Sequence, residues 1–172
     1  MTLTDLAVVV SVGTDHHRFD RLVEWVDHWI AAQDRDIRCV AQVGTSKHSI
    51  TGTSHALMSP IALSSAIAGA AAVVCHGGPG TIMDARRAGL NPIVVPRSAR
   101  MGEHVDDHQE RFARWMATHH ELVVATEEAE LHRLLDRVLV DPETYRRAPG
   151  NDDVADVTRR LGELVEGLLG PA

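Results

Sequence analysis

Residues 70–84 read Ala70-Ala71-Ala72-Val73-Val74-Cys75-His76-Gly77-Gly78-Pro79-Gly80-Thr81-Ile82-Met83-Asp84, and their reading decides the fold. Ala70 to Cys75 is an unbroken run of small apolar residues, the pattern of a strand covered on both faces. His76 to Gly80 follows as a turn in which three glycines let the backbone approach a ligand. Pro79 suits the first position of a helix, where its missing N–H would be unpaired anyway. The N–H groups of Gly80 to Ile82 then have no acceptor inside the helix. They point outward with the positive end of its dipole, which makes an anion site. Asp84 lies three residues after Thr81 and shares its helix face. A phosphate at the amides would leave that carboxylate about one turn away, free for the hydroxyls of an attached sugar. By pattern alone the turn reads equally well as a ligand-free strand-to-helix connection, with Asp84 an acid favoured by the dipole.

The flanking sequence repeats this strand-to-helix alternation. Leu6 to Val12 is a β-branched run that ends at Gly13-Thr14 and predicts a first strand. Phe19, Leu22, Val23, Val26, Trp29 and Ile30 recur at helical spacing and predict the helix after it. Ile37 to Val43 is a second strand, Lys47 to Ser54 a loop, Ala56 to Met58 a short third strand and Ile61 to Gly69 a short helix. Gly89 ends the helix that Pro79 begins. Pro92 to Val95 is a further strand, and Arg97 to Asp106 a polar loop. Asp107 to Thr118, Glu121 to Val124 and Glu127 to Val140 then predict a helix, a strand and a helix. Asp141 to Gly150 is a break containing proline and glycine. A final helix from about Asp152 to Leu168 carries Val154, Val157, Leu161, Leu164, Val165 and Leu168 as a stripe. The expected organisation is a ligand-binding α/β domain over 1–140, with 141–172 a linker and an amphipathic helix packed on the domain or on a partner.

Such alternation implies right-handed βαβ units, a Rossmann-like, mostly parallel sheet and helices on both faces. Ligands of these sheets bind beyond the carboxyl ends of the strands. Three loops fall there: Gly13 to His17, His76 to Thr81, and Arg97 to Gln109.

At 172 residues the chain suits one domain, able to bury roughly 70% of its unfolded surface. Its net charge of −7 argues against a nucleic-acid partner, which needs a basic footprint. Cys39 and Cys75 both fall in predicted strands and read as small reduced core residues, with no CxxC pair. Residues 48–83 contain no Asp, Glu, Lys or Arg, but Pro60, Gly69 and several serines interrupt them, so they do not read as a membrane helix. No basic-then-apolar leader opens the chain, and a cytoplasmic location is expected.

Taken with Val95-Pro96-Arg97 and Glu103-His104-Val105-Asp106-Asp107-His108-Gln109, the His76-to-Asp84 motif resembles the C-terminal domain of glycosyltransferase family 28. That domain is the donor-binding half of a GT-B fold. Ser11 to Thr14, with Phe19-Asp20-Arg21-Leu22 following, resembles the start of its stand-alone versions, small subunits that work with a membrane-bound, acceptor-binding partner. The resemblance implies a UDP-sugar donor, UDP-GlcNAc or another UDP-hexose, a lipid-linked sugar acceptor and an inverting transfer. It also implies no cofactor, no bound metal and a peripheral position at the inner membrane face through the partner. Position by position, Gly13 and Thr14 would border the diphosphate, Gly77, Gly78, Gly80 and Thr81 would cradle it, and His76 would belong to the same substrate site. Asp84, where the family usually carries Glu, would hold the ribose. Arg97 would belong to the same substrate site, and His108 and Gln109 would face the sugar, with Gln109 the direct contact.

Other readings of these residues stay open. Asp106 or Asp107 can cap the helix that carries Trp115, leaving His108 and Gln109 solvated. His104, Asp106 and His108 permit a metal site, although no complete ligand set appears at a recognised spacing. His16 and His17 are the weak candidates for acid/base work, and no general base is assigned. A non-catalytic nucleotide-sugar-binding module that regulates a partner, and a sugar-nucleotide epimerase fragment of GT-B type, are the alternatives to a transferase.

Overall fold

The computed structural model describes residues 7–118 and 122–147. Six strands form one sheet: β1 (Ala7–Ser11), β2 (Arg38–Gln42), β3 (Thr53–His55), β4 (Ala72–Cys75), β5 (Ile93–Val94) and β6 (Val123–Val124). Every pairing is parallel, and the order across the sheet is β3-β2-β1-β4-β5-β6. Five helices connect them: α1 (Asp20–Ala31), α2 (Pro60–Ala68), α3 (Pro79–Arg87), α4 (His108–Thr118) and α5 (Glu128–Val140). Alternate strand residues serve opposite faces of the sheet. Val8, Val10, Ala72, Val74 and Ile93 pack in one core with the stripe of α1 (Phe19, Leu22, Val26, Trp29) and with Leu131, Leu135 and Val138 of α5. Val9 and Val73 face Ile67 and Ala85 on the other side, and Cys75 and Val94 face Ile82, Ala113 and Met116 there. Burial pushes both thiols up to about 12, so Cys39 and Cys75 are inert core groups.

Among the described residues the predicted elements are present with two shifts. The third strand was expected at Ala56 to Met58 but lies at Thr53–His55, inside the expected loop. The reason lies in the connection. Ser59 accepts a hydrogen bond from Ala62 N–H and caps α2, with Pro60 at its first position, so the preceding residues must turn. Ala56 O and Met58 N–H are then held by Gly44 N–H and the Gln42 side chain. The strand β5 shrinks to Ile93–Val94, between Pro92 and Pro96.

Beyond α5 the chain folds back onto the sheet domain. Asn91 N–H donates to Tyr145 O and Arg147 N–H to Gly89 O, while the Tyr145 hydroxyl donates to Leu134 O. The stripe from Val154 to Leu168 lies outside the described residues. Among the described residues, no helix is long and apolar enough to cross a membrane.

Candidate functional site

The sheet order reverses direction between β1 and β4, where the chain leaves to opposite sides. A crevice opens at such a switch point, beyond the carboxyl ends of the strands. The β1–α1 loop and the β4–α3 turn border it, and the β5–α4 loop closes its flank. The three loops singled out in sequence thus share one end of the sheet.

At the β4–α3 turn no described side chain caps the helix. Ile82 N–H donates to Gly78 O at 3.5 Å, so the free amides are those of Gly80 and Thr81 rather than the run from Gly80 to Ile82 expected from sequence. The glycines divide by role. A Cβ on Gly78 would stand 2.1 Å from His76 Nε2, and one on Gly13 would stand 2.5 Å from the same ring. The His76 imidazole therefore fills the room left by these two glycines. Gly13 also has φ +81, the left-handed region that favours glycine. A Cβ on Gly77 would press on Gln109 at 3.1 Å, whereas no described atom lies within 4 Å of one on Gly80. Only over Gly80 does the turn keep open space. Thr81 is buried, and Thr14 is exposed at the rim.

Burial, aided by the Arg97 charge, pushes His76 down to about 4, so its ring is neutral near pH 7. Its Nδ1 is buried and has no hydrogen-bond partner among the described residues. The same holds for Gln109 Oε1. These two polar atoms belong to residues that flank the glycine turn.

Arg97 turns inward in this arrangement, onto the protein's own carbonyls. It is completely buried, and its guanidinium donates to Val12 O (2.7 Å), His17 O (2.8 Å) and Glu103 O (2.9 Å). A cation with five donors suits this clamp on three carbonyls. It ties the β1–α1 loop to the β5–α4 loop. Glu103 extends the brace, with its carboxylate accepting from Arg21 Nε and Nη2 (2.9 and 2.8 Å) and from Ser98 N–H (2.9 Å). Gln42 does the same for Gly13, donating from Nε2 to its carbonyl at 3.0 Å. Neither Glu103 nor Gln42 takes a role from sequence reading. Glu103 opens the motif that ends at Gln109 and Gln42 lies near the end of a predicted strand, but sequence alone gives neither a partner.

The remaining positions lie around the crevice. Asp84 is half-exposed on α3 and pairs with Arg87 at 3.1 Å, one turn along. Gln109 is buried at the start of α4 against Gly77. His108 N–H donates to Asp106 Oδ1 at 3.1 Å, and its Nδ1 contacts the same oxygen. Asp106 thus holds the first amide of α4 through an Asx turn. His16 is exposed, whereas the His17 ring bonds Asp15 Oδ1 at 2.6 Å. Burial opposes the charge on Asp15, but the His17 N–H, the His17 ring and Arg97 outweigh it and hold the carboxyl down to about 2.

A six-stranded parallel sheet in this order, with five connecting helices, is the Rossmann-like architecture of the C-terminal half of GT-B glycosyltransferases. The chain belongs to the glycosyltransferase family 28 C-terminal domain family, whose model matches residues 7–159. No curated protein matches the sequence. Solved structures share the fold. The calicheamicin glycosyltransferase CalG4 aligns with a TM-score of 0.60 at 19% identity, over 95% of this chain and 45% of that one. MurG from Acinetobacter baumannii aligns at 0.57 and 15% identity, over 91% of this chain and 52% of MurG. ALG13, solved by NMR, aligns at 0.56 and 15% identity, over 89% and 94% of the two chains. The chain therefore spans about half the length of the first two and nearly the whole of the third.

Proposed function

We propose that this chain is the donor-binding, catalytic subunit of an inverting glycosyltransferase that moves a hexose from a UDP-sugar to a lipid-linked sugar. The observation that carries the reading is the β4–α3 turn, an uncapped helix start with space kept over Gly80 at the switch point of the sheet. Amides and helix dipole there would stabilise the diphosphate as it leaves, an electrostatic contribution already in place before reaction. Asp84, one turn along, would accept from the ribose hydroxyls, exchanging its Arg87 contact for them. Gln109, whose Oε1 has no described partner, would take the sugar. The acceptor hydroxyl would attack the anomeric carbon opposite the departing UDP. UDP-GlcNAc is the first donor to test.

The acceptor and the base that deprotonates it would come from a membrane-bound partner, which would also hold this subunit at the inner membrane face. Calorimetry tests the donor site. Asp84→Ala should weaken UDP binding about tenfold, the loss of one or two hydrogen bonds. Gln109→Ala should spare UDP and weaken UDP-GlcNAc. Equal affinities in Asp84→Ala and wild type would remove the ribose assignment. Labelled-sugar transfer on co-expression with a membrane partner tests the activity. Donor binding without any transfer would point to a non-catalytic module instead.

A further inference from the structure

We infer that the β5–α4 loop carries a binding site for one divalent transition-metal ion such as Zn²⁺, formed by His104, Asp106 and His108, with Asp15 of the β1–α1 loop orienting His104. The spacing of the three ligands matches no recognised motif. The case rests on what the fold brings to them.

One ligand atom from each of His104, Asp106 and His108 lies within 4.8 Å of the others. His104 Nδ1 is 3.4 Å from Asp106 Oδ1. Bonds of the length zinc makes to imidazole and carboxylate put tetrahedral neighbours about 3.3 Å apart. The His108 ring is closer than that to Asp106, so its half-exposed side chain would have to swing outward to take an ion between them. The other nitrogen of His104, Nε2, stands 3.6 Å from Asp15 Oδ2, just beyond hydrogen-bond length, so a small turn of the ring onto an ion would close that bond. Metal-bound imidazoles as a rule present their second N–H to a carboxylate, which fixes the ring and raises its basicity. Asp15 is itself set in place, since its Oδ1 accepts from His17 N–H (2.7 Å) and contacts the His17 ring.

The loops that carry these groups are braced from beneath. One Arg97 guanidinium holds the carbonyls of His17 and of Glu103, the residue before His104. Arg21 holds the Glu103 carboxylate. The backbone under His104 therefore sits on a buried brace rather than in a free loop. Imidazole nitrogen and carboxylate oxygen suit Zn²⁺ and its neighbours in the series. Three protein ligands leave one coordination position open. An ion here would tie Glu103 to Gln109 into a single rigid segment. It takes no part in the transfer proposed above, and the site stands or falls without reference to it.

The test uses the full chain without a histidine tag, stripped with EDTA and titrated with ZnSO₄ by calorimetry at neutral pH. One ion per chain is expected, with a rise in Tm that EDTA reverses. His104→Ala and His108→Ala should each weaken binding at least tenfold. Asp15→Asn should weaken it about 10- to 100-fold, as the loss of an orienting carboxylate does. His16→Ala should bind as wild type does. Thermal melting in EDTA checks that each variant folds, and Asp106→Asn is the substitute where one does not. The inference is overturned if the stripped protein takes up no Zn²⁺ in excess, or if His104→Ala and His108→Ala bind as tightly as wild type. Loss in His16→Ala with His104→Ala unaffected would overturn it too, by moving the ion to Asp15, His16 and His17.

Discussion

His76 sits between Gly13 and Gly78 with its Nδ1 buried and without a described partner, and this placement has a consequence in acid. Its ordinary value of 6.5 applies in the unfolded chain, while burial and the Arg97 charge hold it near 4 in the native one. As pH falls from 6.5 towards 4, the unfolded chain takes up a proton that the native chain refuses, so stability is lost across that window and levels off below it. Asp15 acts lower down. Its native carboxyl is held near 2, so the stability it contributes is complete above about 4 and disappears towards pH 2. The Tm of the wild type should therefore drop between pH 6.5 and 4, and His76→Gln should flatten that drop by several degrees while leaving the loss below pH 4. Calorimetric melting across this range checks it. An unchanged slope in the variant would mean that other groups govern the acid response. The glycine-histidine-glycine packing behind this prediction was not legible in the motif. Reading the sequence assigns all the glycines to ligand approach, because nothing local shows that two of them accommodate a side chain of the protein itself.

At the scale of elements, the β4–α3 turn separates the roles of its glycines in a measurable way. Gly80 lies in the first turn of a helix with no described atom near its missing Cβ. Gly80→Ala should therefore leave the fold intact and add about 0.5–1 kcal/mol of stability by reducing the freedom of the unfolded chain. If a diphosphate occupies the space, the same methyl should weaken UDP binding at least tenfold. Gly78→Ala should do the reverse, because its Cβ would meet His76 at 2.1 Å, and overpacking of that kind costs about 1–3 kcal/mol. Denaturant unfolding and UDP titration of both variants distinguish the two positions. A destabilised Gly80→Ala protein, or one that binds UDP normally, would show that the open space is not where the nucleotide lies. The elements themselves were readable in advance, because β-branched runs and helical stripes are local signals. The third strand was not, since its position depends on the Ser59 cap and on pairing with β2.

Across the whole molecule, two of the three loops, β1–α1 and β5–α4, are joined by a chain of buried charge. Arg21 on α1 grips Glu103, Glu103 grips Ser98, and Arg97 clamps Val12, His17 and Glu103. The Arg21 and Glu103 side chains are 15% and 7% exposed, so removing one charge strands the other in a poorly solvated place. Glu103→Gln should cost about 3 kcal/mol in denaturant unfolding. It should also weaken UDP-sugar binding more than UDP binding, because Gln109 lies at the far end of the loop that Glu103 anchors. A loss below about 1 kcal/mol would mean that the loops are held by backbone contacts alone. By itself the sequence determined the alternation of strands and helices, the parallel class of the sheet and the helix start at Pro79, because periodicity, β-branching and glycine-proline chemistry act over a few residues. The tertiary structure decided that Arg97 braces two loops, that Gly13 and Gly78 shape a cavity for His76, and that Asp15 faces His104. Those outcomes depend on which loops share the end of the sheet between β1 and β4, and strand order, unlike strand propensity, is set by packing between residues far apart in the chain.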